Sequence, residues 1–412
     1  KCEKKRVNKR KTKIIMGGLT VGYKVVDLFA GAGGLSYGFE KAGFDISLAV
    51  EKDAWAVETY IANHKNKNAI EADIYTLDEQ FFEPYKGNVD IVMGGPPCQG
   101  FSIAASNRRK ENDARNTLYR QFLRVVGILN PKIVLIENVK EIVNYKLPDG
   151  TKIVDDIANF MQKHGYCYDF QVINCRRYGI PQDRRRFFFL AVKKELIDKE
   201  YKVERLLEKY IVPEITFSEA ISDLPVVRPK EFDEDATMSY SMRPLNSYQK
   251  EMRGSCDVLS NHIPMQHTDK TIEKFKFLLS GSEAEMPEEL LPRVRSHTET
   301  ISHSKYSQNH RIIDGSKVSP TITASFYSSF IHPTQPRNLT VREAARIQTF
   351  PDEFVFKGKK TTLSKKLLAK KGIVEELHLD QFNQVGNAVP PRMAEHLAEI
   401  CLDFLNEGEK RQ

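Results

Sequence analysis

The chain has 412 residues, 41% of them hydrophobic, which is enough to bury a substantial core and to build two domains. No run approaches the roughly eighteen apolar residues that cross a bilayer, and the N-terminus has no apolar secretory region, so a soluble cytoplasmic protein is expected. The formal net charge of +7 is concentrated at one end, because residues 1–13 carry eight Lys or Arg against one Glu, and the nearly neutral remainder does not by itself mark a nucleic-acid-binding protein.

Residues 1–20 form the basic tail, either a solvated end or a source of sequence-independent phosphate contacts. From Lys24 to about Lys140, short β-branched runs alternate with helix-length segments: KVVDLFA (24–30), DISLAVE (45–51), NAIEAD (68–73), VDIVMGG (89–95) and KIVLIENV (132–139). Continuous apolar strands in this rhythm predict an α/β fold, with parallel strands and helices on both faces of the sheet. The first crossover helix spans Gly33–Ala42 and stops at Gly43, where a left-handed cap fits. A helix near Lys152–His164 and two further strands, YDFQVINC (168–175) and RRFFFLAV (185–192), complete one domain over 21–205.

Residues 206–379 read as a smaller, loop-rich second domain and hinge. Periodicity weakens there, Ser, Pro and Met rise, and seven of the ten histidines fall between His262 and His378. His262 and His267 lack a carboxylate or thiol to complete a metal set, so exposed histidines are expected. Thr340 and Glu343 make a capping box that opens REAARIQTF, closed by Pro351. Met393, Leu397, Ile400, Cys401, Phe404 and Leu405 mark an amphipathic last helix, entered through Pro390-Pro391 and ended by Gly408. Residues 380–412 thus return to the first domain.

Several polar groups fall where strands end. The first strand runs into Asp27-Leu28-Phe29-Ala30-Gly31-Ala32-Gly33-Gly34, a turn that admits a ligand close to the backbone. Glu51, about twenty residues on, is placed for ribose hydroxyls. A nucleoside-type cofactor fits, but helix packing explains such glycines equally well, and Ser36 stands where the dinucleotide fingerprint has its third small residue. Asp73, closing the third strand, suits an adenine amino group or a plain turn. The six cysteines are scattered without a C-x-x-C pair, so neither a disulfide framework nor structural zinc is expected and any cysteine role is individual. Cys98 follows Pro96-Pro97 beyond the fourth strand. Two stiff prolines and flanking glycines favour an uncovered, reactive thiol over a packed one. Ser102–Asn116 reads as a basic loop able to close over an anionic substrate. Glu137 and Asn138 end the strand KIVLIEN at the same edge, and Arg184 and Arg186 precede FFFLAV, where a structural ion pair is the plain alternative.

In chain order, DLFAGAGG, PPCQGFS, ENV, QDRRR, REAARIQTFPD and QVGNAVPP resemble the motifs of the DNA cytosine C5-methyltransferases, bacterial or phage type. The resemblance covers Val25 to about Val192 and resumes from Arg337 to Leu405, leaving between them the region that varies with target recognition. It implies a Rossmann-like class I methyltransferase fold with a mixed sheet, S-adenosyl-L-methionine as methyl donor, and double-stranded DNA as partner. A monomer is expected, and a cognate restriction endonuclease as partner, an orphan regulatory role and a phage or mobile-element origin are all compatible with the sequence. The pattern carries cofactor contacts over to Phe29, Gly31, Gly33, Glu51, Lys52, Asp73, Ile74, Pro97, Leu118, Asn387 and Val389. DNA contacts fall on Gln99, Ser102, Arg108, Arg109, Thr321 and Thr323.

The chemistry so implied is consistent with these side chains. Cytosine C5 is a poor nucleophile until a thiolate, here Cys98, adds at C6. Glu137 would protonate or hydrogen-bond N3, Asn138 would support Glu137, and Arg186 with Arg184 would hold O2. The base must leave the duplex stack to reach such a site. An RNA (tRNA) cytosine methyltransferase and a catalytically silent DNA-binding scaffold of the same fold are the alternatives. The long 206–336 segment favours duplex DNA, and the full set of reactive side chains speaks against a silent scaffold.

Overall fold

The computed structural model describes residues 22–97, 118–147, 149–233, 236–281, 286–291, 310–362, 368, 371–373 and 377–411. Seven strands form one sheet: β1 (Lys24–Leu28), β2 (Asp45–Glu51), β3 (Ala69–Glu71), β4 (Ile91–Gly94), β5 (Ile133–Val139), β6 (Tyr166–Asn174) and β7 (Arg185–Lys193). Their order is β3-β2-β1-β4-β5-β7-β6. The first five are mutually parallel, as their unbroken apolar runs predict, and β7 is antiparallel to both β5 and β6. The link from β6 to β7 explains the reversal. It is a short 3-10 turn, Cys175–Tyr178, followed by Gly179 at φ 77°, too short for the crossover that a parallel pair needs.

The two-residue period of the strands splits the core by face. Val25, Ile91, Leu135 and Phe188 look toward one layer, which holds the helices Gly34–Lys41 and Pro391–Arg411. Val26, Val92, Val134 and Phe189 look toward the other, which holds Leu118–Leu129 and Ile153–Lys163. The C-terminal helix therefore packs beside the first one. Gly38 permits the approach, since a Cβ there would lie 2.4 Å from Ala394 Cβ. Helix Pro391–Arg411 does not end at Gly408 as expected: the glycine sits inside it, where a Cβ would fall 2.2 Å from Leu196 Cδ2, so it serves close packing and not a cap.

A third core, rich in phenylalanine, gathers residues from Phe217 to Val385 and reaches Ala32 in the glycine turn. At its centre is helix Val341–Ile347, opened by the expected Thr340–Glu343 capping box and buried at every position. Its charges are paired inside. Arg337 bonds Glu343 at 2.6 and 2.9 Å, and Arg346 bonds Asp352 at 2.6 and 2.9 Å and also pairs with Asp223. The expectation of exposed histidines is overturned in the same region. His262 is fully buried between Thr340 Oγ1 and the Pro225 carbonyl, and His267 is partly buried with Nε2 accepting from Asn338 N. A buried imidazole is tolerated there because both ring nitrogens of His262 find partners. Among the described residues, no helix is long and apolar enough to cross a membrane.

Candidate active site

Strands β1, β4 and β5 end along one edge, and the crevice beyond such carboxyl ends is where open α/β sheets take ligands. A cavity of about 330 Å3 lies there. The turn after β1, Gly95–Pro97 after β4, and Glu137 and Asn138 at the end of β5 line it, together with Arg186. The opposite wall is Gly386, Asn387, Ala388 and Val389, so both ends of the chain contribute.

The glycine turn shows two separate uses of glycine. Phe29, Gly31 and Gly33 all have positive φ, at 62°, 55° and 89°. A Cβ on Gly31 would meet none of the described residues within 4 Å, whereas one on Gly33 would lie 2.1 Å from His64 Nε2. Gly31 thus borders space that the described residues leave open. Gly33, expected at the cofactor, instead accommodates the His64 ring, which stacks on Tyr60 and bonds Glu40 at 2.9 Å. Glu51 ties β2 to this turn: Oε2 accepts from Gly31 N at 2.8 Å, and Oε1 accepts from the backbone N–H groups of Lys52 and Asp53. Burial raises its pKa against the pull of those three donors.

Glu137 is buried, and burial is the main cause of a raised carboxyl pKa, opposed by the guanidinium groups of Arg186 and Arg184. The β5–β7 register places Glu137 opposite Phe188 and Val139 opposite Arg186, so Glu137 and Arg186 are diagonal neighbours on one face. Arg186 Nε is 3.2 Å from Glu137 Oε1. Glycine at 95 leaves room for the carboxylate, since a Cβ there would lie 3.2 Å from Glu137 Oε2. Asn138 donates from Nδ2 to the Pro96 carbonyl at 2.9 Å, binding the end of β5 to the loop that leads to Cys98.

Other expected residues lie elsewhere. Arg184 is fully buried and does not line the cavity: its guanidinium donates to the carbonyls of Ile322, Gly386 and Ala388, and burial, with Arg186 nearby, pushes its pKa down to about 9. It is therefore placed to hold main chain and not a base oxygen. Lys52 Nζ meets Asp73 Oδ2 at 2.6 Å, an exposed pair outside the cavity wall that lowers the pKa of Asp73. Ile74 is in the core, and Leu118 packs against that same core at the start of its helix. Thr321 donates to the Asp183 carbonyl at 2.5 Å, and Thr323 is exposed. Pro97, Asn387 and Val389 line the cavity. Cys98, Gln99, Ser102, Arg108 and Arg109 lie outside the described residues, as does the basic tail.

Sequence reasoning missed Asp27. It lines the cavity, is almost fully buried, and takes a 2.6 Å hydrogen bond from Ser36 Oγ on Oδ2, while Oδ1 has no hydrogen-bond partner among the described residues. Burial pushes its pKa up to about 7. The signal was Ser36 itself, nine residues on and out of place in a dinucleotide fingerprint: it is there as the donor to Asp27.

A family profile, C-5 cytosine-specific DNA methylase, matches residues 23–403. The chain is 41% identical to the type II methyltransferase M.DdeI of Desulfomicrobium norvegicum, over 91% of this chain and 87% of that one. It is 32% identical to the type II methyltransferase M1.HphI of Haemophilus parahaemolyticus, over 92% and 86%. Among solved structures, a chain described as a DNA modification methyltransferase encoded within an E. coli prophage aligns with a TM-score of 0.70 at 26% identity, covering 93% of this chain and all of that one. The S. pombe Dnmt2 methyltransferase shares the fold, with a TM-score of 0.59 at 18% identity over 93% of this chain and 99% of that one.

Proposed function

The chain belongs to the C-5 cytosine-specific DNA methylase family, and from that premise we propose how its residues divide the work of a sequence-specific DNA cytosine-5 methyltransferase. The observation that carries the reading is the convergence of Glu137 and Arg186 with the glycine turn and Pro96-Pro97 on one cavity.

The cavity fits S-adenosylmethionine on its own terms. Its volume falls within the roughly 300–1,000 Å3 of small-molecule sites, Gly31 opens onto empty space, and Asn387 and Val389 close the far wall. Phe29, Gly31, Glu51, Pro97, Asn387 and Val389 are the residues proposed to hold it. S-adenosylmethionine supplies an electrophilic methyl group.

The chain supplies the rest. Cys98 follows the cavity-lining Pro97 in the sequence, and its thiolate adds to C6 of a cytosine that has been flipped out of the duplex. Glu137, whose carboxyl is biased toward the protonated form, donates to N3 as charge develops there. Arg186 holds O2, and Asn138 fixes the loop that carries the nucleophile. After C5 has acquired the methyl group, loss of the C5 proton to solvent, return of the N3 proton to Glu137 and breakage of the C6–S bond, which releases the Cys98 thiolate, restore the aromatic ring. The basic segment from Ser102 to Asn116, with Arg108 and Arg109, is proposed to close behind the base, and Gln99, Thr321 and Thr323 to meet DNA. Lys52, Asp73, Ile74 and Leu118 would support the adenosine end from behind the wall, and Gly33 would act through the shape of the turn.

Residues 21–205 with 380–412 form the catalytic unit in this reading, and 206–379 reads the DNA sequence; the aromatic core built mainly from 217–356 joins the two units, since Ala32, Phe382 and Val385 belong to it as well. The enzyme acts as a monomer in the cytoplasm, as the modification partner of a restriction endonuclease. Methyl incorporation into duplex DNA and into tRNA, measured side by side, tests the substrate. Cys98→Ser is expected to abolish incorporation into DNA while cofactor binding persists, and turnover by that variant or activity confined to tRNA would refute the proposal.

A further inference from the structure

Three fully buried side chains, Gln182, Arg184 and Gln348, do not line the cavity, yet they hold two segments that the proposed reading assigns to different ligands. On the DNA side, Arg184 Nη1 donates to Ile322 O at 2.8 Å, and Gln182 Oε1 accepts from Ile322 N at 2.8 Å. On the cofactor side, Arg184 Nη2 donates to the carbonyls of Gly386 and Ala388 at 3.1 and 2.8 Å, and Gln348 Nε2 donates to Val385 O at 2.7 Å. Gln182 Nε2 joins the two halves by donating to Gln348 Oε1 at 2.9 Å. The segments also touch directly, because a Cβ on Gly386 would fall 2.3 Å from the Thr323 carbonyl.

We infer that Gln182, Arg184 and Gln348 act as a coupling hub: these positioning residues make the seating of 319–323 and of 385–389 a single event, so that cofactor and duplex DNA strengthen each other's binding. The reason is the burial of the hub. Displacing either segment alone strands donors of a buried guanidinium and two buried amides, so arrangements with one segment seated and the other displaced are suppressed. A ligand that fixes Asn387 and Val389 then fixes Ile322 with its neighbours Thr321 and Thr323, and linkage makes the effect reciprocal. The inference rests on the proposed assignment of the cavity to the cofactor.

The test uses the full chain and S-adenosylhomocysteine as probe. Its Kd is measured with and without saturating plasmid duplex that the native enzyme methylates. In the native protein DNA is expected to tighten the probe on the order of tenfold, and in Gln348→Ala that ratio is expected to fall to about twofold or less. An unchanged ratio in the variant, or no reinforcement in the native protein, overturns the hub. Failure of the probe to bind the native protein at all overturns the cavity assignment itself. If Gln348→Ala does not fold, Arg184→Lys keeps the buried charge with fewer donors and takes its place. Titration of active molecules with DNA containing 5-fluorocytosine separates the roles: a hub raises both KM values per active molecule, whereas a merely structural role lowers the titre and leaves both KM values unchanged, which would also overturn the inference.

Discussion

A carboxyl group that must present a proton to a base nitrogen needs surroundings that disfavour its ionised form, and burial at the end of β5 gives Glu137 such surroundings. Arg186 at 3.2 Å limits how far the bias goes. Because the pKa is raised, the protonated fraction falls as pH rises, so kcat/KM is expected to decline on the alkaline side. Glu137→Gln is expected to lower kcat by about 10²- to 10⁴-fold and to remove that alkaline limb. A variant that keeps the limb assigns it to another group. Asp27 allows a test of stability. Its pKa is about 7 in the folded chain, against the ordinary carboxylate range near 4 when unfolded. The folded state therefore binds the proton more tightly. The contribution of this group to stability is fully present below about pH 4 and is lost as pH rises through about 7, a penalty on the order of 4 kcal/mol when complete. Asp27→Asn keeps an acceptor for Ser36 Oγ and removes the charge. It is expected to raise the Tm at pH 8 and to have much less effect at pH 4. An equal or lower Tm at pH 8 would show that the ionised carboxylate is stabilised after all.

At the level of elements, helix Val341–Ile347 shows why a motif that looks like surface chemistry can be architecture. Arg342, Glu343 and Arg346 in REAARI are all buried, and Arg346 lies between Asp223 and Asp352. Replacing it by methionine leaves two buried carboxylates without their principal cation, a loss of about 3–5 kcal/mol, to be read as a lowered denaturation midpoint. Unchanged stability would mean that Arg342, 3.9 Å from Asp352, takes over the pairing. The strands were legible because burial on both faces writes continuous apolar runs into the sequence, and Glu137, Asn138 and Pro97 were legible because they interrupt or end such runs. Partners distant in sequence were not. Arg184 looked like a base contact from its place beside Arg186, but its carbonyl partners are 138 to 204 residues away. Gly408 looked like a stop signal, since nothing local reveals that Leu196 needs its space.

Across the whole molecule, the cavity is closed by residues from opposite ends of the chain, so its integrity depends on how strongly the C-terminal helix is held. Met393, Leu397, Ile400, Cys401 and Leu405 are at most 2% exposed, and Phe404 is 9% exposed, all in the core shared with the first helix. At about 1.5–3 kcal/mol for each large apolar side chain, that face contributes on the order of 10 kcal/mol, comparable to the roughly 5–15 kcal/mol that separates a folded domain from its unfolded chain. A chain truncated after residue 379 is therefore expected not to fold cooperatively. Its loss would also remove Asn387 and Val389 from the cavity and Gly386 and Ala388 from Arg184. The contacts are side-chain packing and hydrogen bonds, with no requirement for covalent continuity at residue 380, so the separate 380–412 segment is expected to rescue the truncated chain when the two are co-expressed. Rescue is measured as recovered methylation of plasmid DNA and as a single cooperative melt. A truncated chain that already melts cooperatively would show that the helix is an accessory to the sheet, and the shared wall of the cavity would then have to be held from the β7 side alone.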